Sequence, residues 1–158
     1  MTASAMVTLT TGSVEETETV GARLGGAAAA GDVVALYGDL GAGKTAFVRG
    51  LAAGLGVPPY LVASPTFTMI AEYVGGRLPL FHVDLYRLAP GEADLLALRE
   101  YVYGPGLTAI EWFDRLPCGA LDAYLTVRIE YSAPGRRLIL EGQGSRAAAL
   151  VAALAPGT

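Results

Sequence analysis

Lysine is almost missing from this chain. Lys44 is the only one among 158 residues, and every other basic side chain is arginine. Cysteine is as scarce: with Cys118 alone, no intrachain disulfide can form, which fits a reducing, cytoplasmic setting. Cys118 lies in Leu116-Pro117-Cys118-Gly119 and reads as a passive small residue of a loop. Positive charge is short overall. Fifteen acids against eleven bases leave a net charge of −4, so a broad cationic face is not expected and tight, direct RNA binding by this chain alone is disfavoured. Long apolar runs are missing too. The most apolar late stretch, residues 147–155, falls far short of the roughly 20 residues that span a bilayer. Residues 1–12 lack a basic start followed by a long apolar segment, so no signal peptide is expected. Residues 25–31 (GGAAAAG) are the one biased stretch and read as a helix end and loop.

What is abundant is apolar. Hydrophobic residues make up 53% and charged residues 16%, which excludes a mainly disordered chain. The length is most simply one domain, residues 1–158, with enough chain for a real core.

The single lysine sits in Gly38-Asp39-Leu40-Gly41-Ala42-Gly43-Lys44-Thr45, which matches the phosphate-binding loop pattern G-x-x-x-x-G-K-[ST]. At this chain's glycine and hydroxyl content, that pattern would surround a random lysine with a probability of about 0.002. A compact, mobile ammonium can follow the outer phosphates of a nucleotide, whereas a planar guanidinium fits that space poorly. The context agrees. Residues 33–37 form a short apolar run suited to a buried strand. Residues 45–55 have helical spacing, with Phe47, Val48, Leu51 and Leu55 on one side. Strand, glycine loop and helix in that order aim backbone N–H groups and a helix N-terminus at phosphate.

Around this unit the pattern predicts a strand at 6–10 and a helix over 13–30, with Ser13 as N-cap and Glu16 completing a capping box. A hairpin is expected from 67–74 and 78–85, joined by Gly75-Gly76-Arg77. A helix at 92–101, a buried strand at 107–110, a second hairpin at 124–131 and 137–141 turning at Pro134-Gly135, and a helix at 145–154 follow. Hairpins interleaved with crossover helices imply an α/β fold: a phosphate-loop NTPase-like domain with a mixed central sheet flanked by helices.

In the loop motif the Thr45 hydroxyl ligates magnesium bound to the phosphates. The metal shell also needs an acid at a neighbouring strand end. Two candidates exist: Glu111, closing Leu107-Thr108-Ala109-Ile110, and Asp84, closing Leu80-Phe81-His82-Val83. Strand alternation puts His82, the only histidine, on the same face as Asp84, where it orients that acid or a water, or else serves as a hydrogen-bonded core residue. Trp112, the only tryptophan, either packs near the nucleotide, forms a partner surface or belongs to the core. Ser64-Pro65-Thr66-Phe67 lies where switch segments sit, and a hydroxyl there could sense the outer phosphate. Arg87 is the best internal candidate for a charge-stabilising arginine. With one lysine there is no Asn-Lys-x-Asp guanine reader, so adenine is favoured. No arginine-dense lid of the kind used by small kinases is present.

The loop, Ser64-Pro65-Thr66-Phe67, His82-Val83-Asp84-Leu85-Tyr86-Arg87 and Ile110-Glu111-Trp112 together resemble the TsaE (YjeE) family, over roughly residues 13–141. The resemblance implies a small ATPase using ATP and Mg2+. It would act with the TsaB–TsaD pair in threonylcarbamoyl modification of adenosine 37 in tRNAs that read ANN codons, meeting tRNA only through the complex. It implies that Gly38, Asp39, Leu40, Gly41, Ala42, Gly43 and Lys44 hold the phosphates. Thr45 and Glu111 would ligate magnesium, Asp84 would be an essential acid and Thr66 a switch threonine. Thr17 and Arg136 would approach the nucleotide. Two other readings stay open: a small-molecule kinase, and a nucleotide-gated scaffold with negligible turnover.

Overall fold

The computed structural model describes residues 4–39, 43–62, 70–86, 95–117 and 119–155. Among the described residues seven strands are formed: β1 (Ser4–Thr11), β2 (Val33–Gly38), β3 (Ile70–Tyr73), β4 (Leu80–Asp84), β5 (Leu107–Glu111), β6 (Tyr124–Ser132) and β7 (Gly135–Gln143). The same residues form four α-helices: α1 (Val14–Ala27), α2 (Lys44–Leu55), α3 (Leu95–Val102) and α4 (Ser145–Ala153). The strands make one mixed sheet in the order β1-β7-β6-β2-β5-β4-β3. The four inner strands, β6, β2, β5 and β4, run parallel. Antiparallel strands close both sides, β7 and β1 beyond β6 and β3 beyond β4. The expected α/β architecture is therefore the observed one.

The layering follows from the strand sequences. Every residue of β5 (LTAIE) is buried, as are the first four of β2, because helices cover both faces of the parallel centre. On one face Leu24 of α1, Phe47 and Leu51 of α2 and Leu150 of α4 pack with Leu36, Leu80 and Leu107. On the other, Leu98 and Val102 of α3 meet Val33, Val83 and Ile110. Alternation along each strand sorts side chains between these two cores.

Helix α1 starts as its sequence predicts, with the Ser13 hydroxyl accepting from the Glu16 N–H at 3.1 Å. The Glu16 carboxylate accepts from Gly12 N–H, one residue outside the usual reciprocal bond. The helix ends at Ala27, not at residue 30, although an alanine run favours continuation. The Arg77 guanidinium donates to the carbonyls of Ala28 (2.9 Å) and Gly25 (2.8 Å), and Ala29 N–H donates to Asp32. Those bonds replace the helical ones.

α1 and α2 pack almost backbone to backbone. A Cβ on Gly21, Gly25, Gly50 or Gly54 would collide with the carbonyl oxygens of Phe47, Leu51, Glu18 or Ala22, respectively. Other boundaries shift slightly. The first strand is longer than expected, and the late hairpin turns at Ala133-Pro134, with Gly135 already paired to Ser132. Part of the expected first hairpin (67–69) and the start of the helix expected at 92 lie outside the described residues.

Candidate functional site

Three parallel strands end side by side. Leu36 of β2 lies opposite Glu111 of β5, and Glu111 lies opposite Asp84 of β4. Both candidate acids thus sit at carboxyl ends of strands, next to the strand that feeds the glycine loop, the usual ligand position in open α/β sheets. Beyond Gly38 and the exposed Asp39, residues Leu40, Gly41 and Ala42 lie outside the described residues. The chain resumes at Gly43, the N-cap of α2, with φ 119°. A side chain is strained in that conformation, so the glycine is required by the backbone itself. Lys44 and the partly buried Thr45 are the first two residues of α2.

The Lys44 ammonium lies 3.5 Å from Glu111 Oε1, and His82 Nε2 lies 2.7 Å from Glu111 Oε2. Glu111 is buried and His82 has no exposed surface. Burial alone would raise the Glu111 pKa. The hydrogen bond from His82, with the Lys44 charge, more than offsets this, so the carboxyl titrates below its ordinary value and is held ionised. Asp84 behaves oppositely. Burial pushes its pKa up and the neighbouring Glu111 adds to the rise, while the backbone N–H of Tyr86, donating to Oδ1 at 2.9 Å, opposes it. His82 therefore serves Glu111 and not Asp84. The facing was legible from alternation; the partner depends on β4–β5 register, which a sequence does not display.

Trp112 is no core residue. It is 37% exposed and adopts φ 60°, the one non-glycine residue with positive φ among those described. That conformation costs roughly 1–2 kcal/mol. It turns the chain sharply after Glu111 and sets the indole among Lys44 (Nζ 6.0 Å from the ring centroid), Arg115 (5.2 Å) and Tyr86 (5.0 Å). The indole borders a cleft of about 650 Å³ that also takes in Tyr37, Asp39, Lys44, Arg128 and Tyr131. Tyr37 and Arg128 are functional candidates that the sequence reading missed; they stack at 4.8 Å, a contact set by β2–β6 pairing.

A second hollow, of about 260 Å³, opens at the same end of α2 and brings together Thr17, Gly43 and Arg136. The Thr17 hydroxyl is already engaged, 2.8 Å from that of Thr11 and donating to Ser13 O at 3.3 Å. Thr17 therefore offers the hollow its methyl group, which a Cβ on Gly43 would approach to 3.8 Å. The guanidinium of Arg136 stacks on Tyr131 at 4.1 Å. Thr66 with its segment, Arg87 and Cys118 lie outside the described residues.

Among the described residues no three His, Cys, Asp or Glu side chains cluster to hold a metal unaided. Thr45 and Glu111 fit magnesium in a different way. They offer an oxygen donor at the loop helix and an ionised, buried carboxylate, and magnesium normally takes few protein ligands and completes its shell with phosphate oxygens and water.

A parallel-centred sheet, with a Gly-Lys-Thr helix start beside the strand-end carboxylate of Glu111, defines an α/β protein that carries the phosphate-loop sequence pattern. The family described as threonylcarbamoyl adenosine biosynthesis protein TsaE matches residues 11–139, and the chain belongs to the TsaE family. A Nostoc protein named tRNA threonylcarbamoyladenosine biosynthesis protein TsaE is 45% identical over 141 residues, covering 87% of this chain and 86% of the relative. The Treponema pallidum protein of that name is 42% identical over 80% of this chain and 93% of its own. The crystal structure of Bacillus subtilis YdiB superposes with a TM-score of 0.74 at 33% identity, covering 98% of this chain and 95% of that one. No helix among the described residues is long and apolar enough to cross a membrane.

Proposed function

We propose that this chain is a magnesium-dependent ATPase, weak alone and activated by partners, that serves threonylcarbamoyl modification of adenosine 37 in tRNAs reading ANN codons together with TsaB and TsaD. The observation that carries the proposal is the 3.5 Å pairing of the single lysine, at the start of α2, with the buried Glu111 carboxylate at the end of β5. A lysine held there, before nucleotide arrives, is aimed where outer phosphates rest against a helix N-terminus. Family membership supports the tRNA pathway, and a net charge of −4 supports reaching tRNA through a complex.

In this reading Lys44 neutralises charge on the outer phosphates, and Thr45 and Glu111 hold magnesium. Magnesium, when bound, supplies further neutralisation of the phosphate oxygens. The raised pKa of Asp84 makes it a better base toward a proton of the attacking water, and one of its oxygens stays fixed by Tyr86 N–H. Water oxygen bonds to the outer phosphorus, the bridging P–O bond breaks, and ADP leaves. Thr17 and Arg136 flank the hollow offered to adenine. Calorimetric titration tests the core of the reading. Lys44→Ala is expected to abolish ATP binding, and Thr45→Ala to weaken binding with magnesium more than without it. Undiminished ATP affinity in Lys44→Ala would remove the phosphate-loop assignment.

A further inference from the structure

His82 is a buried polar ring with a single polar link. Its Nε2 is 2.7 Å from Glu111 Oε2, and its Nδ1 finds no hydrogen-bond partner among the described residues. An ionised carboxylate only accepts, so Nε2 carries a proton and donates it to Oε2. His82 pairs in register with Ala109 and shares its sheet face with Leu80 and Leu107, so an apolar side chain would suit that surface. The polarity of the ring thus has one employment, the second oxygen of Glu111.

The first oxygen faces Lys44 at 3.5 Å. Glu111 ends its strand, and Trp112 turns away directly after it, so the backbone leaves this carboxylate at a strand tip. Without His82, nothing else among the described contacts would stop the group from rotating toward the ammonium. We propose that His82 is a positioning residue that occupies Oε2 of Glu111 and thereby presents Oε1 alone to a small, hard divalent cation beside the phosphate loop. A carboxylate confined to one free oxygen suits the strict octahedron of magnesium. A carboxylate able to chelate through both oxygens suits the larger, more flexible shell of calcium. The inference rests on the magnesium–ATP reading above and adds to it the source of the cation preference.

The test is ATP titration by calorimetry in EDTA, in magnesium and in calcium. It compares wild type with His82→Leu, His82→Phe and His82→Gln, whose amide nitrogen reaches the position of Nε2. Loss of an outer-shell partner typically costs about 10–100-fold in metal affinity. Each protein's ATP affinity in EDTA serves as its own reference for the metal effect. The magnesium enhancement should fall about tenfold in Leu and Phe, with the magnesium-over-calcium preference narrowed, and Gln should restore both. Using both apolar variants keeps the comparison if one misfolds. An unchanged magnesium enhancement in the apolar variants, or a Gln variant as impaired as Leu, would overturn the inference while leaving the ATPase reading standing. A wild type that binds no ATP would instead overturn that reading and this inference with it.

Discussion

Asp84 and Glu111 are register neighbours whose carboxyls are shifted in opposite directions. Glu111, lowered below its ordinary value, contributes stability at pH values above the unfolded value of 4.5. That contribution is lost as pH falls through its folded value. Asp84, raised above 3.8, is destabilising when ionised, and the cost vanishes once pH drops below the unfolded value. Asp84→Asn should therefore melt at a higher temperature than wild type at pH 7, with the gap closing as pH falls toward 3.8. Calorimetric melting across that range checks the sign; a variant less stable at neutral pH would contradict it. Activity would be lost alongside, the usual exchange of stability for function at a site residue. At this scale the sequence was informative. The residues Lys44, Thr45, Asp84 and Glu111 are recognisable from motif and strand-end position. What stayed hidden was who bonds whom, because the His82–Glu111 pair spans two strands and Trp112 gains its place from a left-handed backbone that no composition reports.

Among the elements, the α1–α2 contact does the positioning. α2 carries Lys44 and Thr45, while α1 carries Thr17, and the smaller hollow lies between their starts. Four glycines let the helices approach until a Cβ on either would strike the other's carbonyls. Gly50→Ala should thus cost about 2–3 kcal/mol through overpacking. For a chain of this size that lowers the melting temperature by roughly 5–10 °C. Thermal unfolding followed by circular dichroism reads the effect; a melting temperature equal to wild type would show that the two helices are free to separate. Helical spacing foretold the buried face of α2, since Phe47, Val48, Leu51 and Leu55 are all in the core. Gly50 and Gly54 carry no local signal of the contact, because a close approach needs both partners in view. The end of α1 was misjudged for the same reason. Arg77, about fifty residues on, supplies the bonds that stop it.

Taken whole, the molecule has its chemistry gathered at one end of the parallel strands and a clear division between two helical layers. The alternation of hairpins and helices made the mixed α/β class legible. Strand order was not, because β2 lies between β5 and β6, an arrangement reached by crossovers that leave no local signature. Around the site the surface carries the exposed aromatics Tyr86 and Trp112, with the half-buried Arg115 against the indole. A net charge of −4 sets the rest of the surface against direct docking on tRNA. Under the proposed ATPase reading, a partner that orders or completes the charge around the outer phosphate would raise the rate by orders of magnitude.

The most direct measurement is phosphate release together with labelled threonine incorporation into tRNA, with this chain, TsaB and TsaD omitted in turn. The account predicts slow hydrolysis by the chain alone and a strong rise with both partners. It also predicts that modification stops after about one round when this chain is left out, because in the proposed role hydrolysis resets the complex between rounds. Fast hydrolysis by the isolated chain, unaffected by TsaB and TsaD, would contradict it.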